Sequence, residues 1–102
     1  MQTYLISYDI TDNNLRLKAA KLILRAGAFR VQRSVFMGTL SDTTAKHTRK
    51  NLQTLSQHPR WATTDTLLIL PLHDYSRKSL ELLGNFETEW GLIYRELHTL
   101  VV

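Results

Sequence analysis

Tyr4-Leu5-Ile6-Ser7-Tyr8-Asp9-Ile10, followed at once by Thr11-Asp12-Asn13-Asn14-Leu15-Arg16, is the stretch that decides how this chain folds. The first seven residues are rich in aromatic and β-branched side chains and alternate in character. As a strand they put Tyr4, Ile6, Tyr8 and Ile10 on one face and Leu5, Ser7 and Asp9 on the other. Thr11 to Asn14 then supply helix-capping chemistry. Beyond them Leu15, Ala19, Leu22, Ile23 and Ala26 recur at helical spacing, Lys18, Lys21 and Arg25 line another face, and Gly27 provides a stop.

Strand character returns from Phe29 to Leu40, as one strand or as one broken in two. Phe29, Val31, Val35 and Met37 share a face, and Arg30, Gln32, Ser34 and Phe36 share the opposite one, with Gly38 marking a bulge or bend. Ser41-Asp42 caps a second helix, whose stripe is Ala45, Thr48, Leu52 and Leu55 and whose outer face carries Lys46, His47, Arg49 and Lys50. That helix must end before His58-Pro59, because a residue preceding proline avoids the helical region. Thr66-Leu67-Leu68-Ile69-Leu70 reads as a central strand buried on both sides. Pro59 and Pro71 flank it, Ser79 to Leu83 reads as a short strand or turn ending at Gly84, and residues 92–102 read as a terminal β tail. The order strand, helix, strand, helix, strand in about 100 residues predicts an α+β, ferredoxin-like (βαββαβ) sandwich. Two helices cover one face of an antiparallel sheet. The other face carries Ser7, Asp9, Arg30, Gln32 or their neighbours and is solvated or buried by association.

The chain has 102 residues, which predicts a single domain spanning 1–102 with 92–102 as a C-terminal β tail. Its 43% hydrophobic and 22% charged residues exclude a disordered, collagen-like or low-complexity chain. No apolar run is long enough for a bilayer, and the start has neither a basic n-region nor a cleavable apolar stretch. With no Cys there is no disulfide framework and no thiolate metal site. A cytoplasmic location is the default expectation. Thirteen Lys and Arg against nine Asp and Glu give a net charge of +4, a bias toward an anionic partner such as nucleic acid that dimerisation would double.

Asp9 is the most suggestive single residue, because a charge at the end of an apolar strand is expensive without a partner. It either caps or pairs with a neighbour, or it holds a metal. Magnesium is often held by one or two carboxylates, with waters and phosphate oxygens completing its octahedron, and a two-fold pair of chains would bring two copies of Asp9 together. Asp12 reads as a helix N-cap. Arg16, Arg30 and Arg33 can grip phosphates or sit in surface ion pairs. Tyr8 and Phe36 can stack on bases or fill the core, and Ser34 can bond a phosphate or satisfy the sheet. His47, His58, His73 and His98 lack zinc-like spacing and read as surface residues, and no Walker loop, nucleophile elbow or dinucleotide fingerprint is present.

Two segments together resemble a known family. Tyr8-Asp9-Ile10-Thr11-Asp12 with Leu15-Arg16, and Arg30-Val31-Gln32-Arg33-Ser34-Val35-Phe36-Met37-Gly38, are similar to the motifs of the CRISPR-associated Cas-two family. The resemblance covers residues 4–40 well and the region after Ser76 poorly. It implies a ferredoxin-like homodimer that acts in CRISPR adaptation, pairs with the Cas-one integrase, and is a magnesium- or manganese-dependent endonuclease on RNA or DNA. It assigns Asp9 as the metal ligand and catalytic carboxylate, with Tyr8 and Ser34 beside it. Arg16, Lys18, Arg30 and Phe36 become the nucleic-acid contacts, and Arg33 is added to them for its own charge. Lys18 keeps the charge of a second helix cation but lacks the guanidinium fork. Arg33 puts a charge where many relatives carry an aromatic or apolar residue.

In the nuclease reading, the metal polarises a phosphoryl oxygen and activates water, while Arg16 and Arg30 neutralise developing charge and Ser34 orients the phosphate. Three other readings fit the residues: a non-catalytic adaptor that bridges integrase dimers on duplex DNA, a small-molecule-sensing module, and a toxin-like ribonuclease of similar fold.

Overall fold

The computed structural model describes residues 1–81 and residue 83. The β tail expected over 92–102, and any exchange of it between chains, lies outside the described residues. The elements run β1 Gln2–Asp9, α1 Asn13–Arg25, β2 Phe29–Gln32, β3 Val35–Leu40, α2 Asp42–Ser56, β4 Thr66–Leu72 and α3 Asp74–Lys78. The four strands form one sheet in the order β2-β3-β1-β4, and all pairings are antiparallel. This is the ferredoxin-like arrangement.

The local chemistry places the ends of the elements. Asp12 is the N-cap of α1, its Oδ2 accepting the Leu15 N–H at 3.0 Å, and Ser41 does the same for α2 toward Thr44 at 3.2 Å. Gly27 ends the first helical segment at φ 103°, a backbone region costly for any residue with a Cβ. α1 buries Leu15, Ala19, Ala20 and Ile23, and α2 buries Ala45, Thr48, Leu52 and Leu55. The α1 stripe, with Leu52 and Leu55 of α2, meets Ile6, Tyr8 and Phe36 from the sheet and Ile10 just after β1 in the main core.

Four details differ from the sequence reading. First, Phe29–Leu40 takes the broken form of the two that the sequence allows, a hairpin whose turn lies at Arg33-Ser34, but its register shift falls between Arg30 and Gln32 and not at Gly38. Gly38 is instead a close approach: a Cβ there would stand 2.7 Å from Ala28 Cα. Second, β4 is an edge strand among the described residues rather than a central one, and its apolar run is not buried on both sides, because α1 and α2 pack on the face of Leu67 and Ile69. Leu68 and Leu70 keep 54% and 45% of their surface exposed, and Pro71 sits within the strand because an edge tolerates a missing N–H. Third, the face without α1 and α2 is the apolar one. Register places Leu5 beside Met37 and Leu70, and Ser7 beside Val35 and Leu68, on that face. Arg30 is not among them. It pairs with Phe36, and alternation turns it to the helix side with that residue. Fourth, the weakly patterned stretch after Pro71 forms α3, and of the strand or turn expected from Ser79 it is the turn that Ser79 takes. The Arg77 guanidinium donates to Thr3 Oγ1 at 2.9 Å and to Asp74 Oδ1 at 3.0 Å, while Leu80 packs near Val31 and Met37.

Candidate nucleic-acid and metal site

β1 delivers Asp9 at its last position, and the β2–β3 turn lies beside it because the Tyr8 N–H donates to the Ser34 carbonyl at 3.1 Å. The first turns of α1 close the third side. Between them lies a cleft of about 400 Å³ lined by Tyr8, Asp9, Asn13, Arg16, Arg30, Arg33 and Ser34, together with Ile10, Leu17 and Ala20. Six of the residues singled out from the sequence thus share one concavity: Tyr8, Asp9, Arg16, Arg30, Arg33 and Ser34.

Each is held differently. Asp9 is exposed, and no hydrogen bond or ion pair engages its carboxylate among the described residues. The capping duty that would have given it a structural partner belongs to Asp12. Arg16 donates to Asn13 Oδ1 at 2.9 Å, which ties its guanidinium over the first turn of α1 at the cleft. The Arg30 guanidinium lies 5.1 Å from the Phe36 ring centroid, and its buried Nε has no partner among the described residues. Cation–π attraction thus orients a charge that remains available to an anion. Arg33 is exposed, and Ser34 is half-buried with no hydrogen bond from its hydroxyl among the described residues. The Tyr8 side chain is mostly buried, its hydroxyl reaching the Arg33 carbonyl at 3.4 Å and its ring tilted 33° against Phe36 at 5.8 Å.

Two residues fall outside the cleft. Phe36 has 0% of its surface exposed, so it supports Arg30 and Tyr8 from beneath and has no surface for a base. Lys18 stands on a different side of α1, in a groove with Lys21, His58 and Arg60, since two residues along a helix is a rotation of about 200°.

Asp65 has no motif around it, so nothing local in the sequence marks it. It is buried, and it fastens the segment between α2 and β4 to the strand-to-helix connection after Asp9. Its Oδ1 accepts from the Thr11 N–H at 3.0 Å and the Thr11 hydroxyl at 2.9 Å, and its Oδ2 accepts from the Ala62 N–H at 2.9 Å. The Ala62 N–H, then the Thr11 donors, hold its carboxyl below the usual carboxylate range against the opposing effect of desolvation.

For a divalent cation, the donor set of one chain is spare. No group of three or more His, Asp or Glu side chains gathers among the described residues. Asp9 is the one carboxylate lining the cleft among the described residues, which suits a hard cation that takes its other ligands from water and phosphate. No helix among the described residues is long and apolar enough to cross a membrane.

The sequence profile of the family described as CRISPR associated protein Cas2 matches residues 1–79. A CRISPR-associated endoribonuclease Cas2 of Korarchaeum cryptofilum is 31% identical over 80 residues, covering 78% of this chain and 82% of that protein. One from Aeropyrum pernix is 42% identical over 52 residues, covering 51% and 56% of the two chains. A hypothetical protein of Thermus thermophilus superposes with a TM-score of 0.67 at 30% identity, covering 84% of this chain and 94% of the other. The crystal structure of Streptococcus pyogenes Cas2 superposes with a TM-score of 0.65, covering 80% and 99%, and at 22% identity it speaks to the fold.

Proposed function

The chain belongs to the CRISPR associated protein Cas2 family, and from that premise we propose that it is a magnesium-dependent endonuclease that works as a homodimer in CRISPR adaptation. The observation that carries the reading is the unpartnered Asp9 carboxylate in a cleft otherwise lined by Arg16, Arg30 and Arg33. A cationic cleft suits a phosphodiester backbone, and one free acid within it suits a metal rather than the phosphate itself.

Asp9, from each of two chains, would hold the cation, which when bound polarises a phosphoryl oxygen and lowers the pKa of water. Arg16 and Arg33 bind the flanking phosphates, and Arg30, backed by Phe36, stabilises charge on the reacting one. The Ser34 hydroxyl orients a phosphate oxygen, and Tyr8 fixes the turn that carries Arg33 and Ser34. The apolar sheet face supports a homodimer, because Leu68, Leu70 and Phe29 leave large side chains exposed on it.

A second reading is supported by the lack of a general base: among the described residues, no acid or histidine apart from Asp9 lines the cleft. In that reading the basic pair is an adaptor that bridges Cas-one integrase dimers on duplex DNA and leaves cleavage to its partner. Replacing Asp9 by Asn separates the two. The nuclease reading predicts that magnesium- or manganese-dependent cleavage of RNA and DNA disappears while binding persists. Cleavage at the wild-type rate by Asp9→Asn overturns it, and a wild-type protein that binds duplex but never cleaves supports the adaptor.

A further inference from the structure

Charge is unevenly distributed along this chain. Between Asn13 and Ser41 there is no Asp or Glu, while Arg16, Lys18, Lys21, Arg25, Arg30 and Arg33 all occur there, and α2 adds Lys46, Arg49 and Lys50 against Asp42 alone. The proposed cleft uses only part of this excess. On α1, Lys18, Lys21 and Arg25 follow an i, i+3, i+7 spacing, which aligns them along one face over about 10 Å. All three are exposed, and none makes an ion pair among the described residues.

Two concavities flank this row. At one end a groove of about 440 Å³ gathers Lys18, Lys21, His58 and Arg60. The Arg60 backbone N–H donates to His58 Nδ1 at 3.1 Å, which fixes the two residues beside each other. Asp12 is the only acid lining the groove among the described residues. Its Oδ2 is engaged in capping, and its Oδ1 lies 3.9 Å from Arg60, a surface contact of little strength. At the other end a groove of about 380 Å³ between α1 and α2 presents Arg25, His47, Thr44 and Asn51, with no acid lining it among the described residues. Leu17, 53% exposed, borders both the first groove and the Asp9 cleft, so it forms the ridge dividing them.

We propose that the outer face of the helix layer is a second nucleic-acid surface: a track from Arg60 past Lys18 and Lys21 to Arg25 that takes a phosphodiester backbone without regard to base sequence. It rests on the nucleic-acid reading above and adds to it a face that the Asp9 cleft does not use. Among the described residues no Phe, Tyr or Trp lines either groove, so the track grips phosphates and reads no bases.

The test is a salt titration of binding to a labelled mixed-sequence duplex, followed by fluorescence anisotropy. The triple variant Lys21→Ala/Arg25→Ala/Arg60→Ala weakens binding and flattens the plot of log K against log salt by about 2–3, at about 0.9 for each phosphate no longer neutralised. The charge-preserving set Lys21→Arg/Arg25→Lys/Arg60→Lys keeps the wild-type slope. Arg16→Ala/Arg33→Ala removes its own share of the slope independently. A triple variant with wild-type slope overturns the track, even where Arg16→Ala/Arg33→Ala still loses its share. A triple variant that weakens binding at unchanged slope also overturns it, by showing an indirect effect. A wild-type protein that binds RNA but no duplex overturns the track, and one that binds neither refutes the nucleic-acid reading itself.

Discussion

The guanidinium of Arg30 lies 5.1 Å from the ring centroid of Phe36, and this contact joins the core to the candidate site. Phe36 is fully buried between the sheet and the helices, so the charge it supports has a fixed position in the cleft. A double-mutant cycle with Arg30→Ala and Phe36→Leu measures the coupling. Thermal unfolding of the four proteins is expected to give an interaction energy of about 0.5–1 kcal/mol. Strict additivity would show that the two residues are merely neighbours.

The approach of β3 to the residue before β2 is a second checkable feature. With only 2.7 Å between a Cβ at position 38 and Ala28 Cα, Gly38→Ala must push backbone apart. A loss of about 1–3 kcal/mol is expected in urea unfolding, as for an overpacked core. A Gly38→Ala protein as stable as wild type would mean that β3 and Ala28 stand far enough apart to admit a methyl group.

Asp65 predicts a pH dependence. Its carboxyl is held below its unfolded value of about 3.9. The carboxylate therefore contributes stability that is present above about pH 4 and lost as pH falls through the lower, folded value. Asp65→Asn removes a charged acceptor from Thr11 and turns an amide donor toward one of its partners, so it is destabilised at pH 7. The gap between the two proteins should narrow at pH 3 and below, by urea midpoint. A gap that stays constant across that range would deny Asp65 its role in the clasp.

The exposed leucines of β4 bear on association. Leu68 and Leu70 share the face away from α1 and α2 with Leu5, Val35 and the buried Met37. If a second copy covers that face, Leu70→Lys loses about 1.5–3 kcal/mol per leucine buried, roughly tenfold or more in the dimer dissociation constant. Sedimentation velocity over a concentration series reads this directly, and an unchanged association constant would place the interface elsewhere.

Much of this was legible in residues 4–56. Period-two alternation around Tyr8, the cap at Asp12 and the stripe Ala45-Thr48-Leu52-Leu55 are local signals, and they specify two helices and the first strand. The positions of Arg30 and β4 were not local. An apolar run such as Thr66–Leu70 looks the same whether a helix layer or another protein copy covers it, and only the strand order makes it an edge. The cleft was legible because its residues cluster at the end of one strand and in one turn. Asp65 was not, because its partners, Thr11 and Ala62, become neighbours only through the fold. Lys18 lies apart from the cleft because sequence adjacency to Arg16 is the wrong measure of proximity on a helix.

If two copies of Asp9 share one cation-dependent site, as proposed, mixing of subunits reads it. Wild-type and Asp9→Asn chains are co-refolded in equal amounts and magnesium-dependent cleavage is measured against wild type at the same total concentration. Random pairing leaves about a quarter of the dimers with both carboxylates, so a shared site predicts activity near a quarter. Activity near a half would show that each chain carries its own complete site and that Asp9 is not shared.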